Sequence, residues 1–219
     1  MEIPVYRDIL EENDLKAKAN SALLRKFSIL TINLMASPGA GKTTLLERTI
    51  EALSPSMRMA VIEGDLATNL DQERIRKHGV PVVQINTGSG CHLRADMVSE
   101  ALEEISLPGL DILFIENVGN LICPAEFRLG EDLRVILASV PEGDEKPLKY
   151  PVMFREADAV VLNKIDLLPY VPFNREAFLC NLYTITPKVP LFSLSCRTGE
   201  GLPTWLEWLK LQTGLISRA

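Results

Sequence analysis

The segment Ala36-Ser37-Pro38-Gly39-Ala40-Gly41-Lys42-Thr43-Thr44 fits the phosphate-binding pattern G-x-x-x-x-G-K-[ST], with Ala36 where the first glycine would stand. Gly39 and Gly41 let the backbone turn its amides inward, and Ala40 and Thr44 belong to the same cradle. Lys42 would reach the terminal phosphates of a nucleotide, and the Thr43 hydroxyl would ligate Mg²⁺. The helix expected next adds its positive end to the same anion. Asn163-Lys164-Ile165-Asp166 is a base-reading loop. Asp166 would accept hydrogen bonds from guanine N1 and the 2-amino group, donors that adenine lacks at those positions. Lys164 would lay its stem over the base, and Asn163 would tie this loop to the phosphate loop. Ser195-Cys196-Arg197 offers a second base-side loop, in which the Cys196 amide would meet guanine O6 or simply form a polar turn.

Two acids end apolar runs: Asp65 in Val61-Ile62-Glu63-Gly64-Asp65, and Glu116 in Ile112-Leu113-Phe114-Ile115-Glu116. Mg²⁺ takes hard oxygen ligands and retains water, so both are expected beside it near the γ-phosphate. With Lys42 they form the expected catalytic set. Neither Gln nor His stands near them to orient an attacking water, so hydrolysis by the isolated monomer should be slow. Cys91 and His92 are adjacent after a glycine-rich loop, and Cys123 lies in Asn120-Leu121-Ile122-Cys123-Pro124. Thiolate and imidazole donors suit Zn²⁺ or Ni²⁺ and not Mg²⁺. Spacing alone leaves a metal site and two plain thiols equally open. Cys180 and Cys196 are expected to be buried small side chains.

These residues need a frame. Short apolar runs at 28–35, 59–63, 80–85, 112–116, 134–140, 159–163 and 189–194 alternate with helical stretches at 43–53, 69–78, 96–105, 175–183 and 203–211. Strands apolar on both faces and alternating with helices predict an α/β fold with a mostly parallel central sheet covered by helices on both faces. Ligands of such sheets gather beyond the carboxyl ends of the strands, and every cluster above lies at one of those ends. Ahead of them, residues 6–26 carry Ile9, Leu10, Leu15, Ala19, Ala22 and Leu23 near helical spacing, which predicts an amphipathic helix. The expected organisation is a helical extension over 1–26 and a nucleotide-binding domain over 27–219, compact overall.

The 219 residues include 23 Lys+Arg against 29 Asp+Glu, a net charge of -6, which argues against nucleic acid as the main partner. No apolar run is long enough to span a bilayer. The charged first twenty residues lack a signal peptide's apolar core, so a cytoplasmic protein with reduced cysteines is expected.

Taken together the motifs resemble the HypB family, GTPases that assist nickel insertion into [NiFe]-hydrogenase. The likeness runs from the N-terminal helix to Trp208. It rests on NLMASPGAGKTTLL, VIEGDLATNLDQERI, TGSGCHL, FIENVGNLICPAEFRLGE, SVPEGDEKPLKYP, NKIDL and SLSCRTGEG. GNLICPA beside GCHL separates it from the urease-associated relative UreG. The resemblance implies a P-loop NTPase fold, Mg²⁺-dependent GTP hydrolysis, a homodimer formed with GTP, and Ni²⁺ or Zn²⁺ held by Cys91, His92 and Cys123. It implies the hydrogenase large subunit and other maturation factors as partners. A related accessory GTPase for urease or a cobalamin enzyme is the alternative, and a small-molecule kinase a third that the guanine loop disfavours. Arg94-Ala95-Asp96 stands where many relatives carry Asp-Ala-His, which removes one imidazole. The sequence contains no His-rich tract and no N-terminal CxxC-type motif, which leaves the Cys-His-Cys site as the candidate for transfer.

Overall fold

The computed structural model describes residues 4–65, 70–88 and 90–216. Leu66, Asn69 and Ser89, which the sequence places at strand ends and at a helix start, lie outside the described residues.

The strands are β1 (Leu30–Ala36), β2 (Met59–Asp65), β3 (Val82–Asn86), β4 (Ile112–Glu116), β5 (Leu133–Ser139), β6 (Ala159–Asn163) and β7 (Leu191–Ser193). They form one sheet in the order β3-β2-β4-β1-β5-β6-β7, with every pairing parallel. Helices α1 (Pro4–Lys26), α2 (Lys42–Leu53), α3 (Leu70–Arg76), α4 (Ala95–Glu103), α5 (Lys146–Lys149), α6 (Pro151–Arg155), α7 (Arg175–Ile185) and α8 (Leu202–Ile216) surround it. The central strands are buried throughout, as sequences apolar on both faces require.

Alternate residues of each strand feed opposite cores. Ile32, Leu34, Val61, Phe114, Leu137 and Val161 pack with α2, α3 and α8, where Trp205 is fully buried. Ile62, Leu113 and Ile115 pack with α4, while Ile136, Ala138, Val160 and Leu162 pack with α6 and α7. The sheet therefore sits between two helical layers, as the apolar runs predict. Among the described residues, no helix is long and apolar enough to cross a membrane.

The first helix departs from expectation in its face. Ile9, Leu15 and Leu23 are exposed, with Leu15 at 68%, and the buried stripe is Asn13, Ala17, Asn20 and Leu24. The buried side is chosen by hydrogen-bond partners on distant segments and not by local hydrophobicity. The pair α5–α6 was also not legible, because Pro147 and Pro151 each open a helix of one turn or so.

Candidate nucleotide and metal site

At the carboxyl end of β1 the chain turns through Ser37–Gly41 into α2. Gly41 has φ +106°, and a Cβ there would lie 2.5 Å from Asn163 Nδ2, so glycine is required by both conformation and space. A cleft of about 450 Å³ opens above this loop, lined by Gly39, Gly41, Lys42, Thr43, Thr44, Asp65 and Glu116 among others. The loop is braced from three sides. Asn163 Nδ2 donates to Ala40 O at 2.9 Å, Lys164 Nζ to Gly39 O at 2.6 Å, and Lys146 Nζ to Ser37 Oγ at 2.6 Å.

Next to it lies a cavity of about 830 Å³ whose walls include Asn163, Lys164, Asp166, Cys196 and Arg197. Asp166 accepts from Ser195 Oγ at 2.6 Å and from Arg197 Nε at 2.9 Å. The Ser195 hydroxyl and then the guanidinium hold its carboxyl below the usual range, which fixes it as an anion. The Cys196 amide donates to Asn163 Oδ1 at 3.1 Å. Of the two roles the sequence leaves open for this N–H, the bond it makes here is the one that locks the loop holding Asn163.

The acids sit deeper. Thr43 Oγ1 donates to Glu116 Oε1 at 2.8 Å, and Glu116 Oε2 is buried without a partner. Glu63, opposite Glu116 in the β2–β4 register, also has a buried, unpartnered Oε2. Burial foremost, and for Glu63 the neighbouring Glu116 next, raises their pKa values to about 8 for Glu63 and about 7 for Glu116. Asp65 lines the same cleft at the end of β2. Two unpartnered carboxylate oxygens beside the Thr43 hydroxyl form a donor set that fits a hard, hydrated divalent cation.

Beyond the ends of β3 and β4 the soft donors come together. One ligand atom each from Cys91, His92 and Cys123 all lie within 4.8 Å of one another. Cys91 Sγ is 3.5 Å from His92 Nδ1. Cys123 foremost, and then burial, pushes the Cys91 thiol up. Burial and then the Arg94 charge hold the His92 imidazole below its usual pKa, which favours the neutral, metal-competent form. His92 Nε2 is buried without a partner, and the ring lies 4.1 Å from that of Phe127, tilted by 31°. Two sulfurs and an imidazole nitrogen fit a borderline metal such as Ni²⁺ or Zn²⁺. Arg94 and Asp96 pair with each other at 2.6 Å. Of the remaining cysteines, Cys196 is buried as expected, and Cys180 is exposed on α7 because its turn of the helix faces away from the sheet.

The model of the CobW/HypB/UreG nucleotide-binding domain matches residues 30–193. The hydrogenase maturation factor HypB of Azotobacter chroococcum is 50% identical over 99% of this chain and 71% of its own length. The chain belongs to the HypB family. Two HypB crystal structures share the fold with a TM-score of 0.87. The Archaeoglobus fulgidus protein is 37% identical over 93% of this chain and 99% of its own. The Helicobacter pylori protein, solved in complex with nickel, is 39% identical over 92% of this chain and 95% of its own.

Within this HypB-family site three residues carry no motif of their own. Glu63 shares its strand face with Asp65, a period-2 signal present in VIEGD. Asn117, directly after Glu116, accepts from Leu93 N at 3.1 Å and from Val118 N at 3.0 Å, and donates to Asn33 Oδ1 at 3.3 Å. Arg134, buried on β5, binds Glu131 Oε1 at 2.6 Å and donates to Ala125 O and Phe127 O at 2.8 and 3.1 Å. It thereby supports both the turn at Cys123 and the ring under His92.

The facing carboxylates make a pH prediction. Glu63's folded pKa of about 8 lies above its ordinary 4.5, so its contribution to stability is full below about pH 4.5 and is lost as pH rises toward 8. Glu63→Gln should flatten this decline and stabilise the nucleotide-free protein at pH 8 by on the order of 2 kcal/mol. Urea unfolding at pH 5 and pH 8 checks it, and an unchanged pH slope contradicts it.

Proposed function

We propose that this HypB-family protein is a GTP-hydrolysing metallochaperone that holds Ni²⁺ or Zn²⁺ at Cys91, His92 and Cys123 and assists nickel insertion into a [NiFe]-hydrogenase. The observation that carries the reading is the junction at Glu116-Asn117. Glu116 bonds the phosphate-loop Thr43, and Asn117 holds the amide of Leu93 beside His92. A nucleotide site and a soft-metal cluster thus share one strand end.

In this reading Asp166, kept ionised by Ser195 and Arg197, accepts guanine N1–H and the 2-amino group, while Lys164 covers the base. The loop amides and Lys42 bind the β- and γ-phosphates and stabilise the charge that develops as the γ-phosphoryl group passes to water. Thr43, Asp65 and Glu116, with Glu63 behind them, would hold Mg²⁺. That ion supplies further neutralisation of phosphate charge when bound. Glu116 already accepts from Thr43, and among the described residues no Gln or His lines the cleft beside it, so intrinsic turnover is slow. The metal is cargo: two thiolates and one imidazole hold it, and three ligands leave a position for water or for a partner subunit. A homodimer formed with GTP would bring two such clusters together. The hydrogenase large subunit and other maturation factors are the proposed recipients, in the cytoplasm.

Asp166→Asn should weaken GTP binding by about 2–4 kcal/mol, because a charged acceptor facing two donors is lost. Calorimetric titration of GTP and ATP measures it, and equal affinity of the unmodified protein for both nucleotides contradicts the guanine assignment.

Phosphate release from GTP without any added acceptor tests the enzyme itself. Lys42→Ala should abolish it, and Asp65→Ala should raise the Mg²⁺ concentration needed. Undiminished turnover in both variants would sink the phosphate-site reading.

A further inference from the structure

The buried stripe of α1 is half amide. Asn13, Ala17, Asn20 and Leu24 succeed one another at four-, three- and four-residue steps along one face. Both asparagines span the same gap. Asn13 Oδ1 accepts from Ala95 N at 2.9 Å, while its Nδ2 donates to Arg128 O at 2.8 Å. Two turns later Asn20 Nδ2 donates to Ala95 O at 2.9 Å and to Leu129 O at 3.0 Å, and its Oδ1 accepts from Ser99 Oγ at 2.6 Å.

The two ends of that gap are the two arms of the metal cluster. Ala95 opens α4, three residues after His92. Arg128 and Leu129 follow Cys123 by five and six residues on the segment that Arg134 supports. The chain then passes so close to α1 that a Cβ on Gly130 would lie 2.7 Å from Asn20 Cβ. Burying amides costs about 1–3 kcal/mol unless their bonds are made, and here each asparagine makes bonds on both sides of the gap. Leu15 and Ile9 on the same helix are instead left exposed. What the amides add over leucine is a fixed distance between two loops.

We propose that Asn13 and Asn20 are positioning residues for the metal site, making α1 a splint that sets the separation of Cys91 and His92 from Cys123. The proposal rests on the metal reading given under Proposed function. Metal–ligand distances tolerate only a few tenths of an ångström, so a small slip between the loops reads out as affinity. The side-chain bonds of both asparagines go to Ala95, Ser99, Arg128 and Leu129, and none goes to the phosphate or base loops.

The full chain is compared with Asn13→Leu, Asn20→Leu, Asn13→Asp and Leu24→Ala, with Cys123→Ser as the ligand control. Asn13→Asp keeps the acceptor for Ala95 N and sets a carboxylate oxygen against Arg128 O where the amide donated. Leu24→Ala loosens α1 in the core it shares with Leu93 and Leu129 while leaving the hydrogen bonds of both asparagines in place. Ni²⁺ and Zn²⁺ affinities are read by chelator competition, the thiolate-to-nickel charge-transfer band by absorption, and guanine-nucleotide affinity by titration. The asparagine variants should bind metal about 10-fold or more weakly with an altered band, as loss of groups that orient metal ligands does. Their nucleotide affinity should stay within about two-fold of the unmodified protein, consistent with bonds that avoid that site. Leu24→Ala should lower the melting temperature and keep the metal affinity. Metal affinity unchanged in the asparagine variants, or weakened equally by Leu24→Ala, overturns the proposal. If the leucine variants fail to fold, Asn13→Asp decides by the same criterion. Uptake of neither ion by the unmodified protein, or uptake unaffected by Cys123→Ser, overturns the metal reading and this proposal together. Cys123-dependent uptake with unaffected asparagine variants overturns this proposal alone.

Discussion

The Asn117 side chain accepting the Leu93 amide at 3.1 Å is the contact on which the rest of the site depends. It joins residues that follow directly on Glu116 and His92, the innermost members of the nucleotide and metal clusters. Its amide is buried and also spans to Asn33 on β1, so breaking it leaves unpaired polar groups at a cost of about 1–3 kcal/mol. In the proposed reading, a shift of Glu116 driven by a γ-phosphate would pass through this contact to Leu93, the neighbour of His92. Cys123 lies further along the same segment from Asn117. Coupling of this kind needs only two arrangements of one strand end, not a long pathway.

Around that junction the groups are held before any ligand arrives. Asn163, Lys164 and Lys146 brace the phosphate loop, and Thr43 is tied to Glu116. Ser195 and Arg197 fix the Asp166 carboxylate. Such preorganisation lowers the entropy lost on nucleotide binding. Oε2 of Glu63 and of Glu116, Asn33 Nδ2 and His92 Nε2 are among the buried polar atoms left without a partner.

The fold was legible because a parallel sheet buries both strand faces, which writes continuous apolar runs such as Ile112–Ile115 and Ala159–Leu162 into the chain. Phosphate, base and soft-metal motifs were legible because their chemistry restricts residue type at short spacing. Roles set by distant partners were not. Asn13 is buried because its partners stand at Ala95 and Arg128, far along the chain, while local periodicity pointed to Leu15 and Leu23. Arg134 looked like the opening residue of a strand, and only the fold brings Glu131, Ala125 and Phe127 around it. Cys196 shows the same limit at short range: its amide had two acceptors within reach of a plausible loop, and Asn163 takes it.

The central claim is that one strand end serves both sites, and it is tested most directly by thermodynamic linkage. Ni²⁺ and Zn²⁺ are titrated into the GDP-bound protein and into protein bound to a non-hydrolysable GTP analogue, with oligomeric state followed in parallel and Cys123→Ser as control. The analogue should change metal affinity by about 5- to 150-fold, equivalent to roughly 1–3 kcal/mol, and the metal should shift analogue affinity by the same factor. Identical metal affinities in the two nucleotide states would contradict it, even if Cys91, His92 and Cys123 bind the metal.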